Sequence, residues 1–277
     1  MMKNYIENEK VFAFNIWDVN SAKAIIDAAC SLKSNVILQT SSSIYPNIDV
    51  ELLRYVINFY CEKNNIKIWL HLDHCKSMEI IEDAIRVGYD SVMIDASNES
   101  LEDNIDISNR VADMAHKKNV LVEAELGEIR GVEDDICCSE SRKPHYDDID
   151  IFLRNIKADM IAVAFGNAHG IYKGTPNLDY DIVKYVTSNT DKPFVVHGGS
   201  GMSDEMISKL AAIKGVGKIN ISTDVKYAYR TGILNSIGNG KFDKNGFQAI
   251  RVDKDIHDAI FDMAVKKMQL LKGMDEQ

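Results

Sequence analysis

The segment Ile66–His74, which reads IKIWLHLDH, is an apolar, β-branched run that ends in a cluster of titratable side chains. Runs of this kind predict a β-strand. Two later runs end in the same way, because Met160–Phe165 is followed by His169 and Phe194–Val196 by His197. Three strands that each deliver an imidazole at the carboxyl end predict a catalytic metal site.

Eight apolar runs alternate with segments of helical period, and no linker or break in composition separates them. The predicted strands are Val11–Trp17, Val36–Gln39, Ile66–Leu72, Ser91–Ile94, Val120–Leu126, Met160–Phe165, Phe194–Val196 and Val216–Ile221. Eight repeats of a βα unit favour an α/β TIM (β/α)8 barrel over an open sheet. We expect a single domain over residues 1–277, with extra C-terminal helices at Asp224–Ile237 and Lys254–Leu271.

The chain has 277 residues, a hydrophobic content of 45% and a formal net charge of −10. That charge disfavours nucleic acid, so an anionic ligand requires local positive potential. No apolar stretch approaches the ~20 residues of a membrane span, and Met1–Lys10 is too polar for a signal sequence, which predicts a cytoplasmic protein without membrane partners. The five cysteines fit neither a disulfide framework nor a CxxC metal knuckle, so reduced thiols are expected.

The connection Gly127–Asp147, after the fifth predicted strand, has about twenty residues with charge, glycine and proline but no periodicity. Long connections of this kind are usually lids or disordered. Barrel active sites lie at the carboxyl ends of the strands, so this loop is expected to overhang the site.

In a barrel, His74, His169 and His197 follow the third, sixth and seventh strands and meet around one axis. A single histidine there is more often a hydrogen-bonded structural residue, but three at equivalent positions favour a ligand set. Three imidazoles with an open fourth position are typical of catalytic zinc. Zinc would polarise a carbonyl or stabilise an enediolate without redox chemistry.

Asp73 lies beside the first of these histidines, and strand alternation would direct its side chain away from those of Leu72 and His74. If Asp73 faces the barrel mouth, it would serve as a general acid/base for a bound hydroxyl; the alternative is that it only orients a ligand imidazole. His71 points the same way as Asp73. One interpretation of His71 is that it lies outside the coordination shell and positions Asp73 or a metal ligand. The other is that it is a hydrogen-bonded residue at the rim of the barrel.

Acidic residues follow on the fifth predicted strand and the loop after it. Glu123 and Glu125 share one face of the strand, where they would orient metal ligands or bind metal in an alternate position. Glu133, Asp134 and Asp135 form an acidic cluster on the loop, which is either functional or an ordinary solvated run.

Glycine-rich segments follow the last three predicted strands at Gly170–Lys173, Gly198–Gly201 and Asn220–Asp224. Glycine permits close backbone approach, and amides at a helix N-terminus favour an anion. Because barrels often bind phosphate after strands seven and eight, these segments favour a phosphorylated substrate over ordinary turns.

Five motifs together resemble the class II ketose-bisphosphate aldolases, the zinc-dependent fructose- and tagatose-bisphosphate aldolase family. They are HLDHC from His71, VEAELGEI from Val122, GNAHGIYKG from Gly166, HGGSG from His197 and KINISTD from Lys218. The resemblance runs in the family's order from Phe12 to about Arg230, and only the C-terminal fifth matches poorly.

The resemblance implies a metal centre and two proton-transfer groups. One Zn²⁺ would be bound by His74, His169 and His197, with Glu125 as an alternate ligand. Asp73 would accept the C4 hydroxyl proton in a retro-aldol cleavage to dihydroxyacetone phosphate and an aldehyde, in the commonest case glyceraldehyde 3-phosphate. Glu133 would exchange the proton on the dihydroxyacetone phosphate carbon, under a closing loop.

The resemblance also implies a substrate cradle. The dihydroxyacetone phosphate end would be bound by Gly170, Lys173, Gly198, Gly199, Ser200, Asn220, Ser222 and Thr223. Backbone carbonyls there commonly hold a monovalent cation, Na⁺ or K⁺, in this family. Ser41 matches a serine that contacts the distal end of the substrate, and Asn15 matches an asparagine near the site. Family members commonly form dimers or tetramers, so a homodimer or homotetramer is expected.

Departures from the family pattern concern the substrate. The usual paired glycines are Arg130-Gly131 here, and the strand-eight residue that is usually acidic, alanine or asparagine is Ser222. The C-terminal basic residue that contacts the distal phosphate has only Arg251 as a candidate. These changes leave the zinc machinery intact but put the second phosphate in doubt, and Arg130 is a candidate to meet an acidic group on the aldehyde portion instead.

The sequence therefore predicts a zinc-dependent lyase of glycolysis or related carbohydrate metabolism, acting on fructose 1,6-bisphosphate or tagatose 1,6-bisphosphate. The alternatives are an aldolase for another ketose 1-phosphate, a noncatalytic sugar-phosphate-binding barrel and a two-metal hydrolase. A Schiff-base aldolase is disfavoured, because Lys67 and Lys218 are predicted at strand starts rather than carboxyl ends.

Overall fold

A computed structural model describes residues 2–133, 136–138, 142–172, 174–243 and 246–272, with the backbone alone at residues 130, 132, 133 and 136–138. Eight parallel strands close into a barrel in chain order. They are β1 (Val11–Asn15), β2 (Val36–Ser41), β3 (Ile68–Cys75), β4 (Ser91–Ile94), β5 (Leu121–Leu126), β8 (Met160–Val163), β10 (Phe194–Val196) and β11 (Val216–Ile221). The predicted α/β TIM barrel is confirmed.

Three further strands lie outside the barrel: β6 (Arg130–Glu133), β7 (Ile136–Cys138) and β9 (Ala168–His169). The helices are α1 (Met2–Asn8), α2 (Val19–Leu32), α3 (Val50–Asn64), α4 (Met78–Val87), α5 (Leu101–Ala115), α6 (Tyr146–Asn155), α7 (Tyr180–Ser188), α8 (Asp204–Ala211), α9 (Thr223–Gly238) and α10 (Ala249–Lys272). Short 3-10 helices occupy Tyr45–Asn47 and His116–Lys118. None of the described helices is both long enough and apolar enough to traverse a bilayer.

Several helices begin where the sequence supplies capping side chains. Asp49, Ser77 and Ser203, for example, each accept a hydrogen bond from the backbone N–H three residues later, at the starts of α3, α4 and α8. Such a cap satisfies one of the amides that a helix leaves unpaired at its N-terminus. The cap at Ser77 starts α4 soon after β3 ends, whereas the connections that follow β5 and β8 at the carboxyl end of the barrel are long.

The barrel interior is apolar at the amino end and polar at the carboxyl end. The apolar layer consists of Met2, Ile6, Val11, Ala13, Ile37, Trp69, Met160, Ala162 and Val195. The same period-two alternation then directs polar side chains inward, as in β1, where Asn15 follows Ala13, and in β2, where Gln39 follows Ile37. Buried polar side chains are thereby collected at the carboxyl ends of the strands.

Three elements differ from the sequence-based expectation. The N-terminal segment, expected only to be polar, forms α1, which buries Met2 and Ile6 against the amino end of the barrel. The loop predicted to lack regular structure contains the hairpin β6–β7. The last helix, α10, begins at Ala249 rather than Lys254.

Candidate metal centre and active site

Four buried side chains converge at the carboxyl end of the barrel: His74, Glu125, His169 and His197. One potential ligand atom from each lies within 4.8 Å of the others. The ring centroid of His74 is 4.6 Å from that of His197 and 4.9 Å from that of His169. The structure thus brings together the three histidines and the alternate carboxylate that were expected to bind metal.

Strict alternation along β3 was a wrong expectation at His74. Its φ is +44°, and the pairing of β3 with β4 shifts register between Leu72 and Cys75. This left-handed residue breaks the alternation, so the side chains of Asp73 and His74 both reach the site. A non-glycine residue in this conformation costs about 1–2 kcal/mol, and such strain clusters at functional sites.

Carboxylates orient two of the imidazoles. Nδ1 of His74 lies 3.2 Å from Oδ2 of Asp95, and Nε2 of His197 lies 2.7 Å from Oε1 of Glu123. With a proton on each of these nitrogens, His74 Nε2 and His197 Nδ1 present lone pairs to the cluster. Among the described atoms, both nitrogens and Oε2 of Glu125 are buried without a hydrogen-bond partner. An unsatisfied buried polar atom costs about 1–3 kcal/mol, and one metal ion would satisfy all three.

The electrostatics of the cluster favour a cation. Burial opposes protonation of His74, but Asp73 and the hydrogen bond to Asp95 raise the pKa of His74 to about 9. Burial also opposes protonation of His197, yet the hydrogen bond with Glu123 and the carboxylate of Glu125, 3.0 Å from Nδ1, raise its pKa well above the usual value. A metal ion would replace these protons on the imidazoles.

A buried ion pair lies beneath the cluster. Nζ of Lys218, which is fully buried, lies 2.7 Å from Oε2 of Glu123. Burial raises the pKa of Glu123, but Lys218 and His197 outweigh it and lower that pKa well below the usual range. Glu123 is therefore a charged acceptor for His197. Lys218 lies in the first half of β11 (Val216–Ile221), away from its carboxyl end as expected from the sequence, and its amine pairs with Glu123.

His71 belongs to the same buried layer. Its Nδ1 lies 2.7 Å from Oγ of Ser91, and its Nε2 lies 3.6 Å from Glu123 and 3.9 Å from Asp73. Burial and the neighbouring Lys218 lower the pKa of His71 well below its usual value, so the ring is neutral. His71 is outside the four-residue cluster, and its Nε2 faces Glu123 and Asp73.

Three amide side chains hold Asp73, whose side chain is almost completely buried. Gln39 donates to Oδ2 at 2.9 Å, Asn15 donates to Oδ2 at 3.4 Å, and Asn220 donates to Oδ1 at 3.4 Å. Gln39 also donates to Asn15 Oδ1 at 2.6 Å. These hydrogen bonds stabilise the carboxylate charge and fix its orientation beside the metal cluster.

Sequence reasoning missed Gln39 and Asp95 as site residues. Both stand at strand ends, since Gln39 lies near the end of β2 and Asp95 directly follows β4. That position at the carboxyl end of a barrel strand was the available signal. Ser41, which was predicted, ends β2 directly opposite Asp73, and its Oγ lies 3.1 Å from that of Ser43.

The glycine-rich loops after β9, β10 and β11 pack backbone on backbone. Gly198 has φ of +69°, and a Cβ there would lie 2.2 Å from the carbonyl oxygen of Ala168. The hydroxyl of Tyr172 accepts from Ala168 N–H and donates to the Gly198 carbonyl, both at 3.0 Å. Ser200 Oγ accepts the N–H of Ser222 at 3.0 Å. These contacts hold the loops in one arrangement beside the cluster.

Most of the predicted substrate residues lie in this region. Gly170, Gly198, Gly199, Ser200, Asn220, Ser222 and Thr223 lie in these loops, at the end of β11 or at the start of α9. Oγ of Ser222 is buried without a hydrogen-bond partner among the described atoms, as is Oδ1 of Asn220. Lys173 lies outside the described residues. Arg251 is exposed near the start of α10.

The hairpin β6–β7 borders the metal cluster through its backbone. β6 pairs with β9, placing Arg130 opposite Ala168 and Gly131 opposite His169. The loop expected to overhang the site therefore contacts a candidate ligand directly. Glu133 ends β6, but its side chain and that of Arg130 are outside the description, as are Asp134 and Asp135 altogether.

A TIM barrel that gathers three imidazoles and a carboxylate beside a buried aspartate has the architecture of a metal-dependent barrel enzyme. The sequence matches the family described as class-II fructose-bisphosphate aldolase over residues 2–276, and the chain belongs to that family. It is a class II aldolase, a carbon–carbon lyase.

Relatives agree with this assignment. A sulfofructosephosphate aldolase from Alkalicoccus urumqiensis is 32% identical over 236 residues, covering 84% of this chain and 82% of the relative. The crystal structure of the YdjI aldolase from Escherichia coli superposes with a TM-score of 0.81 at 29% identity, covering 98% of this chain and 95% of that one. A putative fructose-1,6-bisphosphate aldolase from Coccidioides immitis shares the fold, with a TM-score of 0.84 at 23% identity over 98% and 94% of the chains.

Proposed function

We propose that this chain is a zinc-dependent aldolase that reversibly cleaves a ketose phosphate to dihydroxyacetone phosphate and an aldehyde. Fructose 1,6-bisphosphate and tagatose 1,6-bisphosphate are the first substrates to consider, with glyceraldehyde 3-phosphate as the aldehyde. The observation that carries the proposal is the buried four-residue cluster beside the amide-held carboxylate of Asp73.

The donor set fits zinc. His74, His169 and His197 would hold the ion and Glu125 would be an alternate ligand, since nitrogen and carboxylate oxygen are the donors that zinc takes in catalytic sites. Asp95 and Glu123 would fix the ring orientations of His74 and His197. When bound, the ion supplies Lewis-acid stabilisation of the negative charge that cleavage leaves on the ketone fragment.

Asp73 would accept the proton of the substrate's C4 hydroxyl. The C4 oxygen then forms a carbonyl, the C3–C4 bond breaks, and its electron pair remains with the ketone fragment, so the aldehyde is released. Glu133 would return a proton to C3 and complete dihydroxyacetone phosphate. Support for Asp73 comes from Gln39, Asn15 and Asn220, which hold its carboxylate in a pocket closed to bulk water.

The glycine-rich loops would bind the phosphate of the dihydroxyacetone half. Gly198 and Gly199 leave room for close approach, and a side chain at either position would collide with neighbouring backbone. The amides at the start of α9 add positive potential. Ser222 Oγ and Asn220 Oδ1 are buried without hydrogen-bond partners among the described atoms. Both would accept hydrogen bonds from substrate hydroxyls. A monovalent cation on loop carbonyls remains a prediction.

A sulfofructose phosphate is a second candidate substrate. It is favoured by the 32% identity to a sulfofructosephosphate aldolase and by the lack of a secure counterpart for the family's distal phosphate-binding residue. Phosphate and sulfonate are both anions, so Arg130, on the hairpin beside the site, would pair with either. Other ketose 1-phosphates have an uncharged distal end, which would not form an ion pair with Arg130.

A coupled assay across fructose 1,6-bisphosphate, tagatose 1,6-bisphosphate, sulfofructose phosphate and uncharged-tail ketose 1-phosphates decides the substrate. We expect the highest kcat/KM with an acidic group at C6. Equal kcat/KM for acidic and uncharged tails would contradict the role of Arg130. Retained cleavage after Asp73→Ala would contradict the assigned chemistry. The zinc content of the protein separates this proposal, which requires one ion per chain, from the hydrolase alternative, which requires two.

Other expectations from the sequence stay predictions. These are a single domain over residues 1–277, a homodimer or homotetramer, a cytoplasmic location and a place in glycolysis. Light scattering of the purified protein tests the oligomeric state. A single cooperative unfolding transition would support a single domain.

A further inference from the structure

Lys267 is a cation of the C-terminal helix that is directed towards the catalytic end of the barrel. Its side chain is only 12% exposed, and its Nζ lies 3.0 Å from Oδ2 of Asp224. Its neighbours Ala264 and Met268 are buried in the core, which anchors this part of α10. A mostly buried ammonium group requires a partner to offset its desolvation, and Asp224 supplies the carboxylate.

Asp224 connects this ion pair to the glycine-rich loop after β10. Its Oδ1 accepts the backbone N–H of Gly201 at 3.2 Å, while its own N–H donates to Oγ of Ser200 at 3.2 Å. Ser200 also accepts the N–H of Ser222. The carboxylate therefore fixes the loop from the first turn of α9, but it also places a negative charge beside a site proposed for phosphate.

We propose that Lys267 is a positioning residue for phosphate binding. It neutralises and orients Asp224, so that Asp224 can pin Gly201 without repelling the substrate's phosphate. The C-terminal helix α10 thereby becomes part of the anion site. This inference rests on the proposed binding of phosphate by the Gly198–Gly201 loop.

The charge balance explains why both partners are needed. A carboxylate without its cation would repel a phosphate dianion across a partly desolvated loop, where charges are weakly screened. An asparagine at position 224 would keep an acceptor for Gly201 N–H without that charge. The effect of losing Lys267 should therefore depend on whether residue 224 is charged.

The test compares Lys267→Met, Asp224→Asn and the double variant, with Lys266→Met as a control on an exposed neighbouring lysine of the same helix. The readouts are the dissociation constant of inorganic phosphate for the zinc-loaded protein, and KM and kcat for the cleaved ketose phosphate. Circular dichroism and thermal unfolding report whether each variant folds.

We expect Lys267→Met to weaken phosphate binding and raise KM by roughly five- to tenfold, an effect of the size expected for one partly buried charge, with little change in kcat. The double variant should bind phosphate as Asp224→Asn alone does, because the charge that needed compensation is gone. Lys266→Met should behave as the native protein.

Two results would overturn the inference. One is unchanged phosphate binding in Lys267→Met, and the other is an equal loss in the Asp224→Asn background, which would mean that Lys267 acts independently of Asp224. If Lys267→Met does not fold, the comparison of the double variant with Asp224→Asn still measures that independence. A native protein that binds no phosphate at millimolar concentration would instead refute the proposed phosphate site.

Discussion

At the scale of single residues, Asp73 is the group that we propose as the general base. Asp73→Asn keeps a side chain of nearly the same shape that can bond to Gln39, but it cannot accept a proton. Loss of a general base typically costs about 10²–10⁴-fold in rate. We expect kcat to fall by that amount while zinc content, measured by atomic emission, stays at the native level.

A parallel loss of zinc and activity in Asp73→Asn would show that Asp73 serves the metal instead. Gln39→Met is the companion variant, because it removes one donor to Asp73 and leaves the acid/base in place. Its kcat should fall less than that of Asp73→Asn.

Asp95 is the residue that we expect to control zinc affinity without touching the ion. It holds Nδ1 of His74, and residues in this position typically contribute about 10–100-fold in metal affinity. Asp95→Asn should weaken zinc binding by that factor in competition with a chelator. Asp106→Asn, at an exposed carboxylate on α5, is the matched control, and equal zinc affinity in the two variants would refute the role.

The convergence of His74, His169 and His197 was predictable from sequence, because each of these histidines follows an apolar run. Asp95 and Gln39 were not predicted, because a single acid or amide after a strand resembles an ordinary turn or strand residue. The positive φ of His74 was also not predictable, since a non-glycine residue rarely adopts this conformation and no local sequence signal marks it.

At the scale of elements, hairpin β6–β7 pairs with β9, the strand that carries the candidate ligand His169. Gly131 has φ of +119°, and a Cβ there would lie 2.1 Å from the carbonyl oxygen of His169. Gly131→Ala should displace the hairpin, destabilise the protein by more than about 1 kcal/mol and lower zinc affinity. Thermal unfolding and chelator competition measure both effects.

Gly238→Ala is the control for that change, because a Cβ at position 238 meets no atom within 4 Å. It should leave zinc affinity unchanged. If Gly131→Ala were equally silent, the hairpin would not support His169.

Asp159, at the amino end of the barrel, makes stability depend on pH. It accepts hydrogen bonds from Lys3 Nζ at 2.9 Å, His116 at 2.8 Å and Val122 N–H at 3.0 Å. Burial raises the pKa of Asp159, but these partners outweigh it and lower that pKa. A lowered folded-state pKa means that the stabilisation is present above the unfolded value, about 4, and is lost as pH falls through the folded value.

Asp159→Asn should therefore lower the free energy of unfolding by about 1–3 kcal/mol near pH 7, with a difference from the native protein that shrinks below about pH 4. Urea unfolding of the metal-free proteins at several pH values checks this. Asp113→Asn, at an exposed ion pair with Lys157, should change little at any pH. A difference that grows on acidification would contradict the sign.

The barrel strands were predictable because their apolar runs are short, β-branched and regularly spaced. The hairpin was not, since β6 is stabilised by pairing with β9 some forty residues away rather than by a local pattern. The short helix α1 lacks a long amphipathic period, and only its packing under the barrel reveals it.

At the scale of the whole molecule, an apolar layer closes the amino end of the barrel, and polar side chains from several strands are collected at the other end. The apolar layer at the amino end therefore stabilises the barrel, while the polar side chains at the carboxyl end form the candidate site. The ion pair of Lys267 and Asp224 also connects the C-terminal helix α10 to the start of α9, beside the candidate site.

The most direct test of the account is a zinc titration of metal-free protein, with dihydroxyacetone phosphate release measured for the best substrate of the panel. If one zinc ion forms the catalytic centre, release rises in proportion to added zinc and reaches its maximum at one ion per chain. Release that is independent of zinc, a requirement for two ions per chain, or no dihydroxyacetone phosphate from any ketose phosphate would contradict it.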